Sequence, residues 1–167
     1  GILRALDAAT DDARLPQEYA SAMTWYRVAL ADGYTQGPLV ASPWVRDDDP
    51  LYPCDWVAEG DKYTCYQQAT TRIIRVVGLD WEKIAQSCAG AESRWVETCF
   101  GSFGQNASVQ GFRKPEAIVA TCAIARPYGG EEECIRYAAM DVAGTYSGGK
   151  EASVLCDVSA AELRGAC

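Results

Sequence analysis

The side chains with the most chemistry on offer in this chain are its eight cysteines, at positions 54, 65, 88, 99, 122, 134, 156 and 167. Thiols bond to each other, ligate metals or act as nucleophiles, and their spacing discriminates among these uses. Zinc sites typically pair ligands two to four residues apart. Here the closest cysteines have ten residues between them, and the chain contains no histidine. An even number of regularly spaced cysteines points instead to disulfides and an oxidising compartment. Once paired, they leave no thiolate nucleophile. The lack of histidine also excludes Ser-His-Asp and Cys-His constellations. Carboxylates acting as paired acid and base are the remaining enzymatic route.

Other candidate residues each carry two readings. Asp47-Asp48-Asp49 is the densest acidic run. It reads as a solvated loop before Pro50, or as a calcium site built from carboxylates and loop carbonyls, although it does not match an EF-hand. Glu131-Glu132-Glu133 reads as an acidic helix start opposing the positive end of the dipole. Gly101-Ser102-Phe103-Gly104 lacks the phosphate-loop and dinucleotide patterns and falls inside a predicted helix. Mid-helix, Gly101 and Gly104 each cost about 1 kcal/mol relative to alanine. Small residues at that spacing admit a close backbone, or else a ligand or partner. Trp25, Trp81 and Trp95 fit helical core positions. Trp44, Tyr52 and Trp56 cluster without a helical period and are candidate interface anchors. Asn106-Ala107-Ser108 has the form of a glycosylation sequon, but its place within a predicted helix argues against use.

The elements that position these residues follow from the cysteine period. Cys54, Cys88, Cys122 and Cys156 stand 34 residues apart, and Cys65, Cys99, Cys134 and Cys167 follow at steps of 34, 35 and 33. Two interleaved series with one period mean a repeated structural unit. The units run 54–87, 88–121 and 122–155, with a partial fourth at 156–167. In each, a short loop leads into a long helix carrying the second cysteine, expected over Lys62–Val77, Arg94–Val109 and Glu131–Thr145. Gly78, Gly111 and Gly148-Gly149 stop these helices. A shorter helix follows, over Asp80–Cys88, Lys114–Cys122 and Lys150–Cys156. Asp80 is a good N-cap, and Pro115 suits a first helical turn.

In pattern and period these helix-turn-helix units resemble the tetratricopeptide-like helical-hairpin repeats. The resemblance covers Cys54 to Cys167 and rests on periodicity and hairpin layout. The family's signature residues are not matched column by column. It implies an all-α fold, a short right-handed solenoid whose concave face holds other proteins. Residues 1–53 form a separate N-terminal part. Pro16–Asp32 has helical apolar spacing through Ala22, Trp25, Tyr26, Ala29 and Leu30. Ala20 and Ala31 stand 34 residues before Cys54 and Cys65, as in a degenerate capping unit. Residues 37–53, rich in proline, read as an irregular arm.

Two disulfide sets fit the repeat. One joins neighbours across the short gap: Cys54–Cys65, Cys88–Cys99, Cys122–Cys134 and Cys156–Cys167. The other closes each hairpin and strands Cys54 and Cys167 at opposite ends. The first is favoured because it uses all eight, and each of its loops adds about 3 kcal/mol on a chain-entropy basis.

A net charge of −8 opposes a general nucleic-acid binder or docking to anionic lipid, and no apolar run approaches the roughly 20 residues of a membrane span. The chain begins at Gly1 without Met, so a removed leader or a missing N-terminal part is expected. Its stop on Cys167 hints at a cut C-terminal end. These features converge on a secreted, periplasmic or cell-surface helical-repeat scaffold that binds protein as an accessory subunit of a larger assembly. No cofactor or metal is implied. The partner surface is expected to combine Trp44, Tyr52 and Trp56 with the face carrying Gly101 and Gly104. A carboxylate-dependent hydrolase acting on glycans, and a small-ligand or calcium-binding protein, are the alternatives.

Overall fold

The structure is a computed structural model, and it describes residues 46, 48–57, 59–145, 149–165 and 167. The helix expected over Pro16–Asp32 and residues 37–45 of the arm lie outside the described residues. Within them the fold is all-α. Seven α-helices follow in order: α1 (Glu59–Gln67), α2 (Ala69–Val77), α3 (Trp81–Ala89), α4 (Val96–Gln110), α5 (Pro115–Ile124), α6 (Glu131–Thr145) and α7 (Lys150–Val158). Short 3₁₀ turns cover Arg126–Tyr128 and Ala161–Leu163. The chain chemistry explains most boundaries. The Asp80 carboxylate accepts from the Lys83 amide at 3.2 Å and starts α3. Pro115 occupies the first turn of α5, where its missing N–H costs nothing. Gly78 ends α2 at φ +76°, a conformation that favours glycine.

One expected helix is two. Lys62–Val77 is interrupted at Gln68, which separates α1 from α2 at φ −108° and ψ 5°. The Gln68 amide bonds back to the Cys65 carbonyl at 3.2 Å, a tighter turn than the α-helix. Two residues on, the Thr70 amide donates to Ser102 Oγ of α4 at 3.1 Å. A neighbouring helix thus takes over a bond that an unbroken helix would make to itself. The restart leaves Ala69 and Ile73 fully buried.

Packing runs between neighbours. α4 contacts α1, α2, α3, α5 and α6, and its contact with α6 is the most extensive. α6 in turn meets α5 and α7, while α5 lies against α3 and α7. The core holds Ile73, Ile84, Phe100, Phe103, Ile118, Ile135 and Leu155, all fully buried. Burying each such side chain is worth about 2 kcal/mol. Trp81 presents an edge to Phe103 at 5.0 Å, and Trp95 is buried, as expected of core aromatics.

The disulfides follow the neighbour-joining set: Cys54–Cys65, Cys88–Cys99, Cys122–Cys134 and Cys156–Cys167. The second ties α3 to α4 and the third ties α5 to α6, so each links the end of a short helix to the start of the next long one. No described cysteine is free.

Candidate functional site

The segment before α1 is built from turns rather than helix, and its side chains hold it in place. Arg46 and Asp48 form an ion pair at 2.7 Å, and Arg46 lies over the Tyr52 ring at 5.5 Å. Its hydrogen bond from Arg46 holds the Asp48 carboxyl below the usual carboxylate range. Asp49 Oδ1 accepts the amides of Leu51 and Tyr52, both at 3.1 Å. Of the three carboxylates expected in a calcium loop, Asp48 and Asp49 are therefore engaged by a cation or by backbone donors. Asp47 lies outside the described residues. No group of three or more potential metal ligands gathers among the described residues.

The same segment is fastened to α1 and α2 by three contacts. Cys54 is bonded to Cys65, and Asp55 accepts a hydrogen bond from the Tyr66 hydroxyl. Burial first, and the Asp55 bond second, push the Tyr66 phenol up. The third contact is Arg72 of α2, only 2 % exposed, whose Nη2 lies 2.6 Å from Cys54 Sγ. Next to these fixed points Trp56 is 72 % exposed, whereas Tyr52 is half-buried. Trp44, the third candidate anchor, lies outside the described residues.

Beside it runs an aromatic band. Trp95 stacks on Tyr66 at 6.1 Å, meets Tyr63 at 6.4 Å and carries Arg94 over its ring at 5.0 Å. Lys62 is paired with Glu92, and Arg94 with Glu59 at 2.9 Å. The Tyr137 phenol of α6 is pushed up by burial and then by the neighbouring Tyr63.

Of the two readings of Gly101 and Gly104, a close backbone or a partner face, the structure matches the first, and both are buried within the molecule. A Cβ on Gly101 would stand 2.9 Å from the Tyr137 ring, and one on Gly104 would stand 2.9 Å from Cys134 Cα. Real Cβ atoms do not approach that closely, so α6 itself fills the space that the glycines open. Asn106 sits mid-helix in α4, half-buried, with its amide donating to the Ser102 carbonyl at 3.0 Å.

Several carboxylates that would serve an acid–base pair are tied up. Arg126 holds Glu131 through two bonds, at 2.6 and 2.8 Å. Asp141 accepts from Ser108 at 2.7 Å and faces Arg113 at 3.4 Å. Glu82 accepts from the Tyr128 hydroxyl at 2.6 Å. Glu131 is thus a buried, arginine-paired residue as well as the acidic helix start expected from the sequence.

Two features escaped the sequence reading. Phe112, in the turn between α4 and α5, is 82 % exposed at φ +52°, and Arg113 follows at φ +54°. The signal was present, since Phe112 stands 34 residues after Gly78, where the preceding turn also has positive φ. A bulky side chain in that conformation is an outlier. The other is Arg72, a basic residue within the apolar face of α2. Comparison with protein-family models, curated proteins and solved structures yields no match for this chain.

Proposed function

We propose that this chain is a helical-repeat module of an extracellular, periplasmic or cell-surface assembly, in which it holds a protein partner. The successive hairpins stack as a short solenoid of the tetratricopeptide-like kind. Neighbour-to-neighbour helix packing and a disulfide at each junction support this arrangement. The disulfides also support an oxidising location.

The observation that carries the reading is the presentation of Trp56. A large apolar ring, 72 % exposed, sits next to a segment pinned by a disulfide and by the Asp55–Tyr66 bond. An aromatic held in place before binding loses little freedom on association, and such residues dominate interface energetics. Phe112, even more exposed and held in a costly backbone conformation, is a second anchor by the same reasoning.

Affinity capture from native extracellular material tests the reading. The wild-type chain is expected to retain a specific protein that Trp56→Ala loses, with affinity falling at least about thirtyfold, the effect of a 2 kcal/mol hot spot. Equal retention by wild type, Trp56→Ala and Phe112→Ala would remove the basis for it.

A further inference from the structure

We infer that Cys54–Cys65 is a redox-active disulfide, which a dithiol reductant opens ahead of the equally buried Cys88–Cys99 and Cys122–Cys134. This goes beyond the partner-binding reading and stands without it.

The inference starts from one guanidinium. Arg72 Nη2 lies 2.6 Å from Cys54 Sγ, 3.3 Å from Cys65 Sγ and 3.3 Å from the Cys65 carbonyl. Arg72 is 2 % exposed, and the two cysteines are 0 % and 1 % exposed. A neutral disulfide accepts only weak hydrogen bonds, so it gains little from this cation. A thiolate at the same place gains a charge-assisted bond in a medium of low dielectric. Arg72 therefore stabilises the reduced form selectively, as a positive neighbour lowers a thiol pKa. Stabilising the reduced form raises the reduction potential.

Among the described residues, no other recorded hydrogen bond joins a cationic side chain to the sulfur of a buried disulfide. The residue 34 positions after Arg72 is Asn106, whose amide bonds to the Ser102 carbonyl and not to sulfur. The residue 35 further on is Asp141, an acceptor for Ser108. Cys88–Cys99 and Cys122–Cys134 each join helix to helix, whereas Cys54 sits in a turn held by bonds such as its own amide to Leu51 O at 2.8 Å. Turns of this kind open at lower cost than packed helices, which gives a reductant access. Cys156–Cys167 is outside the comparison because Cys167 is exposed and meets reductant directly.

The chemistry has a direction. Cys54 Sγ is the sulfur nearer Arg72 and the better leaving group. One thiolate of the dithiol attacks Cys65 Sγ, and the S–S bonding pair departs on Cys54 Sγ as a thiolate beside Arg72. The second thiolate of the reductant then displaces Cys65 Sγ, which takes up a proton released by the reductant. Two electrons pass to the protein disulfide, and the dithiol closes to a cyclic disulfide. The segment carrying Trp56 then keeps its Asp55–Tyr66 bond but loses its disulfide tie to Cys65 of α1.

Equilibration of the intact protein in mixtures of reduced and oxidised dithiothreitol, followed by acid quench, alkylation and peptide mapping, tests this. Cys54–Cys65 is expected to reach half-reduction at about a tenfold lower ratio of reduced to oxidised dithiol than the other two buried disulfides, about 30 mV for a two-electron couple. With glutathione in place of the dithiol, the mixed disulfide is expected on Cys65. Arg72→Lys, which keeps the charge, should preserve the order, and Arg72→Met should abolish it. If Arg72→Met fails to fold, the wild-type order and the position of the mixed disulfide decide. Equal midpoints for the three buried disulfides, or glutathione found on Cys54, would overturn the inference. So would an order unchanged in a folded Arg72→Met variant.

Discussion

Between α4 and α6 the closest approach is made by glycine, with Gly104 set against the Cys134 backbone and Gly101 under the Tyr137 ring. Between α2 and α4, contact is made by a polar pair, the Thr70 amide and Ser102 Oγ at 3.1 Å, with Arg72 buried nearby in α2. Both contacts join one long helical segment to the next, and both lie in the core. They differ in what they exclude. The first leaves no room for an added atom, whereas the second has room for side chains but requires that each polar group find its partner. Neighbouring helices can thus be held by volume at one junction and by hydrogen bonding at the next.

Substitutions that test this contrast differ in size. Gly104→Val is expected to have the largest effect, because its side chain would meet the backbone of Cys134, which cannot rotate aside. A loss of about 3 kcal/mol in chemical denaturation is expected; an unchanged midpoint would show that α4 and α6 separate without cost. Ser102→Ala should act on the other junction by a different route. It removes the acceptor for a buried amide, and a loss of about 2 kcal/mol is expected. Faster hydrogen exchange at Thr70, with Gly104 unaffected, would assign the loss to that junction, and uniform exchange across both helices would contradict the distinction.

The smallest effect belongs to the helix that packs on both α2 and α4, through its cap. The Lys83 backbone amide, opposed by burial and aided by the Lys83 side chain, holds the Asp80 carboxyl below the usual carboxylate range. A depressed folded-state pKa means stability that is present above the unfolded value of about 4 and is lost as pH falls through the folded value. Asp80→Asn keeps an acceptor for the amide but cannot titrate. The wild-type advantage over the variant should therefore shrink as pH falls below about 4. A gap between them that is constant with pH would exclude this linkage.

Much of the architecture was legible locally. α6 begins and ends where the acidic run after Gly129-Gly130 and the expected stop placed it, at Glu131–Thr145. α5 starts at Pro115 and α3 after Asp80, because each boundary signal acts within its own turn. The interruption at Gln68 was not legible, since the acceptor that takes the Thr70 amide lies 32 residues away on another helix. The candidate surface divides in the same way. Trp56 was singled out for lacking a helical period and is exposed. Gly101 and Gly104 were singled out for their size and are covered, because which of two close approaches a glycine serves depends on what packs against it. Phe112 passed unnoticed because exposure and backbone strain are set by the turn as a whole.

Taken alone, the order of residues determined the cysteine spacing, several helix ends such as those at Asp80, Pro115 and Glu131, and the even cysteine count, because these follow from short-range sterics, capping and covalent valence. Tertiary structure decided which helix fills the glycine faces, which rings stay in water, and that one buried guanidinium touches the sulfurs of a single disulfide. Those outcomes depend on groups tens of residues apart meeting at a few ångströms, and no local signal encodes the meeting.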